Sequence, residues 1–204
     1  MKRKLTTAYV VKIAMLSAVA FLLMFIEFPI PLMPSFVKLD ISDLPPLLGS
    51  FALGPVAGII IEIIKNILHI IIKGTSSQFV GELFNASMGA VFVLVAGLIY
   101  KAKHTRTGAV IASLAGAAAM AVASLPFNYY IVYPLYANLF GGMENIIRAY
   151  QAINPGVNDL FGCLTLFNVP FTFFKGVLDA VICFLIYKPL SPILHRETLK
   201  KEVK

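Results

Sequence analysis

Residues 43–72, DLPPLLGSFALGPVAGIIIEIIKNILHIII, form a 30-residue stretch with Gly54-Pro55 near its middle. One helix through it would be longer than the roughly 20 apolar residues that cross a bilayer. Proline and glycine also disfavour helix continuation at that point. The alternative is two segments, 43–53 and 55–72, the first of them short. Outward from here lie four further apolar runs, at about 8–28, 81–101, 108–136 and 160–187. Splitting the quoted stretch makes six spans; merging it makes five.

Charge decides between the two counts. With six spans, Lys2, Arg3, Lys4, Lys12, Lys101, Lys103, Arg106, Lys188, Arg196, Lys200, Lys201 and Lys204 fall on one side, against Lys38, Lys73 and Arg148 on the other. Lys65 and Lys175 remain inside the membrane. Five spans would move Lys101, Lys103 and Arg106 outside, against the excess of positive charge on cytoplasmic loops. The sequence therefore predicts an all-α membrane protein. Its single domain, 1–204, is a bundle of six transmembrane helices with the N- and C-termini cytoplasmic.

Composition agrees with a lipid environment. Of 204 residues, 59% are hydrophobic and 13% charged, and the mean hydropathy is +0.86. One soluble core of this length cannot hide so much apolar surface. The net charge of +7 would suggest nucleic acid in a soluble chain, but here the basic residues flank apolar runs and read as topology signals and headgroup contacts. Cys163 and Cys183 lie in or beside the last run and read as packing residues, with neither a disulfide framework nor a zinc motif. The first run is too long for a typical signal-peptide core and is taken as a retained span. Small residues over 112–123 suit close helix packing. Residues 29–42 and 137–159 become external segments, and within the latter a short interfacial helix at 143–152 and an ordinary loop fit equally well.

The polar residues inside the apolar runs carry the chemistry. Asn168, Thr172, Lys175 and Asp179 recur at four, three and four, along one face of the last helix. A lysine in hydrocarbon costs on the order of 2.5–3.5 kcal/mol, so Lys175 needs a ligand, water or an acidic partner such as Asp179. Glu62, Lys65, Asn66 and His69 share a face of the third span and read as structural or gating somewhat more than as binding, since Glu62 and Lys65 can neutralise each other. Gln78, Glu82 and Asn85 open the fourth span in the same rhythm. Ser124 and Asn128 lie one turn apart in the fifth, before Tyr129, Tyr130, Tyr133 and Tyr136, which fit either a pocket or an interfacial aromatic belt. Amides, one lysine and aromatic rings suit a flat, neutral molecule with polar edges. The motifs of zinc proteases, serine hydrolases and ATP-binding loops are all missing, so an enzyme is disfavoured and any ATP must be hydrolysed by another polypeptide.

Several short motifs, in order and over nearly the full length, resemble the riboflavin-specific S components of energy-coupling factor (ECF) vitamin transporters. They are Leu39-Asp40-Ile41-Ser42-Asp43-Leu44-Pro45, Gly54-Pro55-Val56-Ala57-Gly58 followed by Lys65-Asn66, Gly81-Glu82-Leu83-Phe84-Asn85, Asn128 before Tyr133-Pro134-Leu135-Tyr136, and Pro170-Phe171 before Lys175-Gly176. The resemblance implies a multi-pass protein of a prokaryotic cell membrane that captures riboflavin from outside as transported ligand, with no cofactor. It also implies docking on a transmembrane coupling protein and two ATPase subunits, with no chemistry of its own. Carried over, the substrate-binding residues are Leu39, Asp40, Asn85, Asn128 and Lys175, with Asn168 and Thr172 added by helical spacing. Thr172 stands where the family often has an amide, which leaves the contacts along the ring edge open. Docking is expected through Ala14, Ser17 and Ala18, because small side chains let another helix approach. Few cations mark the external mouth, so uncharged riboflavin is expected to be preferred over its mononucleotide. The alternatives are an S component for thiamine or pantothenate, and a stand-alone carrier using Glu62, Lys65 and Asp179 as a proton relay.

Overall fold

A computed structural model describes the backbone of residues 6–75 and 77–195 and the side chains as far as Ile186. Among these residues the chain forms seven helices: α1 (Thr7–Met24), α2 (Leu44–Leu53), α3 (Pro55–Lys73), α4 (Val80–Ala102), α5 (Arg106–Leu139), α6 (Met143–Gln151) and α7, which runs from Leu160 to His195. Five of them, α1, α3, α4, α5 and α7, are long and apolar enough to cross a membrane. The expected six-helix count is thus met only if the ten-residue α2 is included, and α6 makes a seventh helix. Of the basic residues used above for orientation, Lys2, Arg3, Lys4, Arg196, Lys200, Lys201, Lys204 and the side chain of Lys188 lie outside the described residues.

The break at Gly54-Pro55 is real and its cause is local. Gly54 adopts φ 102°, a conformation open to glycine, and Pro55 starts α3 where a missing N–H costs nothing. The turn folds α2 and α3 into an antiparallel pair. At 1.5 Å per residue, α2 is about 15 Å long, which sets its first residues level with Lys65, ten residues into α3. The loop before α2 therefore descends into the bundle rather than lying over it. Phe28–Pro29 and Lys38–Leu39 pair as a two-stranded antiparallel ribbon near the rim, and the chain then dives, so that Asp40, Ser42 and Asp43 are buried. Reading 29–42 as a wholly external segment missed this descent.

Helices α4, α5 and α7 form the main core around Phe92, Ala112, Ala117 and Met120. The alanine-rich part of α5 works as its composition suggests: a Cβ on Gly176 of α7 would meet the Ala117 Cβ at 2.8 Å, so only small residues permit this crossing. Both cysteines are free and buried. A second cluster packs α6 onto the upper bundle through Ile146 and Tyr150, so residues 143–151 are helical. α1 packs on α2 and α3 through Ile13 and Ala20.

Two π-helical turns interrupt the long helices, Asn128–Val132 in α5 and Leu164–Asn168 in α7. Prolines flank both, Pro126 and Pro134 on α5 and Pro170 on α7; lacking an N–H, they disturb the helical ladder nearby. Such turns rotate the side chains that follow and are frequent at functional sites. Here each has an asparagine at one end.

Candidate ligand cavity

A cavity of about 470 Å³ opens at the end of the bundle where α1, α3 and α5 finish and α4 and α7 begin. That volume lies in the range of small-molecule sites. Six of the seven residues expected to bind ligand line it: Asp40, Asn85, Asn128, Asn168, Thr172 and Lys175. The seventh, Leu39, is buried beside the lining residues Lys38 and Asp40 without being part of the wall. Rings from Phe36, Phe84, Phe171, Tyr133 and Tyr136 complete it.

The amides differ in how far they are already engaged. Asn128 is 2% exposed, and its Nδ2 has no hydrogen-bond partner among the described residues. Leaving a buried amide donor unpaired costs about 1–3 kcal/mol, so this group is set to receive an acceptor. Asn168 is occupied: the Tyr150 hydroxyl donates to its Oδ1 at 2.6 Å, and its Nδ2 donates to the Tyr133 oxygen at 2.7 Å. The two tyrosine hydroxyls also bond to each other. Tyr133 is therefore a buried strut and not part of an interfacial belt, whereas Tyr130, 73% exposed, fits the belt. Burial, together with the adjoining Tyr133, keeps the Tyr150 hydroxyl far above its ordinary range and therefore neutral. Asn85 accepts from Asn66 Nδ2 at 3.2 Å, tying α4 to α3.

Below the amides lies a buried ionic cluster. Lys175 pairs most closely with Asp43, then with Asp40 at 3.5 Å and Asp179 at 3.8 Å. Asp179 is the partner its spacing suggests, but Asp43, 132 residues away in sequence, is the nearer one. Asp43 also pairs with Lys65, which reaches Glu62 at 2.8 Å and the Ser42 hydroxyl at 2.9 Å. Glu62 fits because α4 offers Gly89 opposite it; a Cβ there would stand 2.5 Å from the carboxylate. Sequence reasoning left Asp43 out of the site, and only its place at a proline-marked helix start hinted at burial.

The rim carries a different set. Glu27 joins Lys38 at 2.7 Å and Lys73 at 2.8 Å. Burial alone would raise its carboxyl, but hydrogen bonds and charge from both lysines outweigh that and hold it below the usual carboxylate range. Gln78, expected on α4, instead sits with Phe79 in a left-handed turn before the helix, at φ 49° and 70°. On α1, Ala14 and Ala18 are exposed while Ser17 turns inward at 1% exposure, so the three do not form one outward patch.

Comparisons with known proteins identify the family and the fold. The family model described as "ECF transporter, substrate-specific component" matches residues 8–187. The chain is 35% identical to the riboflavin transporter RibU of Staphylococcus aureus (strain TCH60), over 91% of this chain and 92% of that protein. It is 31% identical to the riboflavin transporter FmnP of Bacillus subtilis (strain 168), over 92% and 94%. A solved structure described as "Structure and mechanism of the S component of a bacterial ECF transporter" superposes with a TM-score of 0.71 at 33% identity, covering 92% of this chain and 97% of that one. The helical fold is thus a known architecture, and the chain belongs to the substrate-specific components of ECF transporters.

Proposed function

We propose that this chain captures riboflavin in the cavity between α4, α5 and α7 and delivers it across a prokaryotic cell membrane when docked on an ATP-hydrolysing module. The observation that carries the reading is the unpaired, buried Asn128 Nδ2 on a cavity wall that also holds Thr172, Lys175 and aromatic rings. The isoalloxazine ring is flat, and one edge is an imide, an N–H between two carbonyls. Such an edge accepts from Asn128 Nδ2, from the Thr172 hydroxyl and from Lys175, while Phe171 and Phe84 supply apolar faces. Asn85 and Asn168 complete the expected set, and Leu39 and Asp40 belong to the loop over the bound molecule.

On this reading there are six membrane segments, with α2 as a half-depth one, and the excess of Lys and Arg at the end away from the cavity supports cytoplasmic termini and an external cavity mouth. Lys38 and Lys73 at that mouth are already paired with Glu27, in keeping with a preference for uncharged riboflavin over its mononucleotide. The exposed Ala14 and Ala18 of α1 offer the close-approach face for a transmembrane coupling protein, and two ATPase subunits supply the energy this chain has no motif to extract. Riboflavin titrated by fluorescence quenching, beside thiamine and pantothenate, tests the ligand: saturable quenching that neither competitor reverses is expected. Displacement by either vitamin would reassign the substrate. The ionic cluster contains Glu62, Lys65 and Asp179 and so keeps a proton-coupled carrier in view. Uptake that persists without ATPase partners and collapses with the proton gradient would carry that reading instead.

A further inference from the structure

Apart from Phe84 and Asn85, the residues assigned to the ring leave the part of the cavity lined by α3 and the start of α4 without a role. This corner is built with care. Glu82, on the first turn of α4, accepts from Thr75 and Ser77 hydroxyls at 3.0 Å each, both on its Oε2. Its Oε1 stands 3.4 Å from Nδ1 of His69, on the next-to-last turn of α3, and the two side chains are only 7% and 9% exposed. Neither ring nitrogen of His69 has a well-formed hydrogen bond among the described residues. The connection between the helices is bent into a left-handed turn at Gln78 and Phe79, held by Phe79 N to Thr75 Oγ1 at 2.9 Å and Gly81 N to Ser77 Oγ at 3.0 Å. A non-glycine left-handed residue costs on the order of 1 kcal/mol, and here the turn brings both hydroxyls onto one oxygen of Glu82 and leaves the other turned to His69. His69, Ser77, Gly81, Glu82 and Asn85 all line the cavity.

The chemistry of this corner differs from that of the amide wall. A buried carboxylate oxygen with spare lone pairs accepts only, an imidazole nitrogen donates or accepts, and an amide does both. Hydroxyl groups, each a donor and an acceptor, satisfy all three at once; a ring edge rich in carbonyls would meet a carboxylate with two acceptors facing. We infer that the α3/α4 corner is a specificity pocket for a hydroxyl-bearing chain, in which Glu82, with His69 beside it, selects flavins that carry a polyol tail. The inference rests on the flavin reading above and adds the orientation of the ligand: ring toward α5 and α7, tail toward α3 and α4.

The structural role open to Glu82, an acid on a helix's first turn, would support the fold without caring which flavin is bound. Titrating riboflavin and lumiflavin, the same ring with a methyl in place of the ribityl chain, separates the two roles. Wild type is expected to prefer riboflavin. Glu82→Gln and, independently, His69→Gln are expected to weaken riboflavin by about tenfold or more, since charge-assisted hydrogen bonds are lost, and to leave lumiflavin within about twofold. Equal loss for both flavins, or an unchanged ratio in both variants, overturns the pocket. If Glu82→Gln does not fold, the wild-type ratio and His69→Gln decide between the two roles. Wild type that binds both flavins equally overturns the pocket alone, whereas wild type that binds neither overturns the riboflavin reading and the pocket with it.

Discussion

Lys65 and Lys175 are two lysines inside the membrane, and the bundle treats them differently. Lys65 is wholly enclosed, with Asp43, Glu62 and Ser42 around its ammonium group and no surface on the cavity. Lys175 shares the carboxylate of Asp43 but keeps a side on the cavity, with Asp40 and Asp179 as longer-range company. One aspartate at the start of α2 therefore joins three segments: the diving loop, the middle of α3 and the middle of α7. The difference teaches that a charged residue within a span says only that a partner exists. Whether it is structural or functional depends on which side of the shared partner the cavity lies.

The largest expected effect separates the two lysines by stability. Lys65→Met leaves Glu62 buried without a cation and should cost about 3–5 kcal/mol, read as a fall in the thermal midpoint of the detergent-purified protein. Lys175→Met leaves Asp43 paired with Lys65 and takes from buried Asp179 a cation held only at 3.8 Å, against 2.8 Å for Glu62 and Lys65, so it should cost less, about 1–3 kcal/mol. Equal losses would erase the distinction.

A smaller pair of effects sharpens it on the amides. Asn168→Ala strips a partner from both Tyr133 and Tyr150 and should lower stability by about 1–3 kcal/mol, with riboflavin binding weakened alongside. Asn128→Ala removes a group with an idle donor, so stability should hold while affinity falls by about tenfold. The smallest effect is at the rim. Because the native Glu27 carboxyl lies below its ordinary value of 4.5, the latch to Lys38 and Lys73 is at full strength above that pH and fades as pH falls through the lowered native value. As a partly exposed, salt-screened cluster it should contribute under about 1 kcal/mol. Glu27→Gln should therefore remove a shallow acid-side loss of stability and change nothing at neutral pH beyond that amount.

The helices were legible because lipid makes hydropathy a direct signal: the apolar runs at 55–72, 81–101 and 108–136 match α3, α4 and the main part of α5 closely. Gly54-Pro55 marked a turn through chemistry confined to two residues. The face shared by Asn168, Thr172 and Lys175 was legible too, since helical spacing is local. The pairing of Asp43 with Lys175 was not, because nothing local brings together residues so far apart in the chain. Nor were the π turns that aim Asn128 and Asn168, the inward turn of Ser17, or the burial of Tyr133 by a helix, α6, that reads equally well as a loop. Gln78 kept the helical rhythm of Glu82 and Asn85 yet lies in the turn, because periodicity does not mark where a helix starts.

The most direct test of the riboflavin site is fluorescence-quenching titration of riboflavin into wild type, Lys175→Met and Lys65→Met under conditions where all three remain folded. Tight binding by wild type, at least about tenfold weaker in Lys175→Met and nearly retained in Lys65→Met, is the predicted result. No quenching by wild type, or full affinity in Lys175→Met, would contradict it.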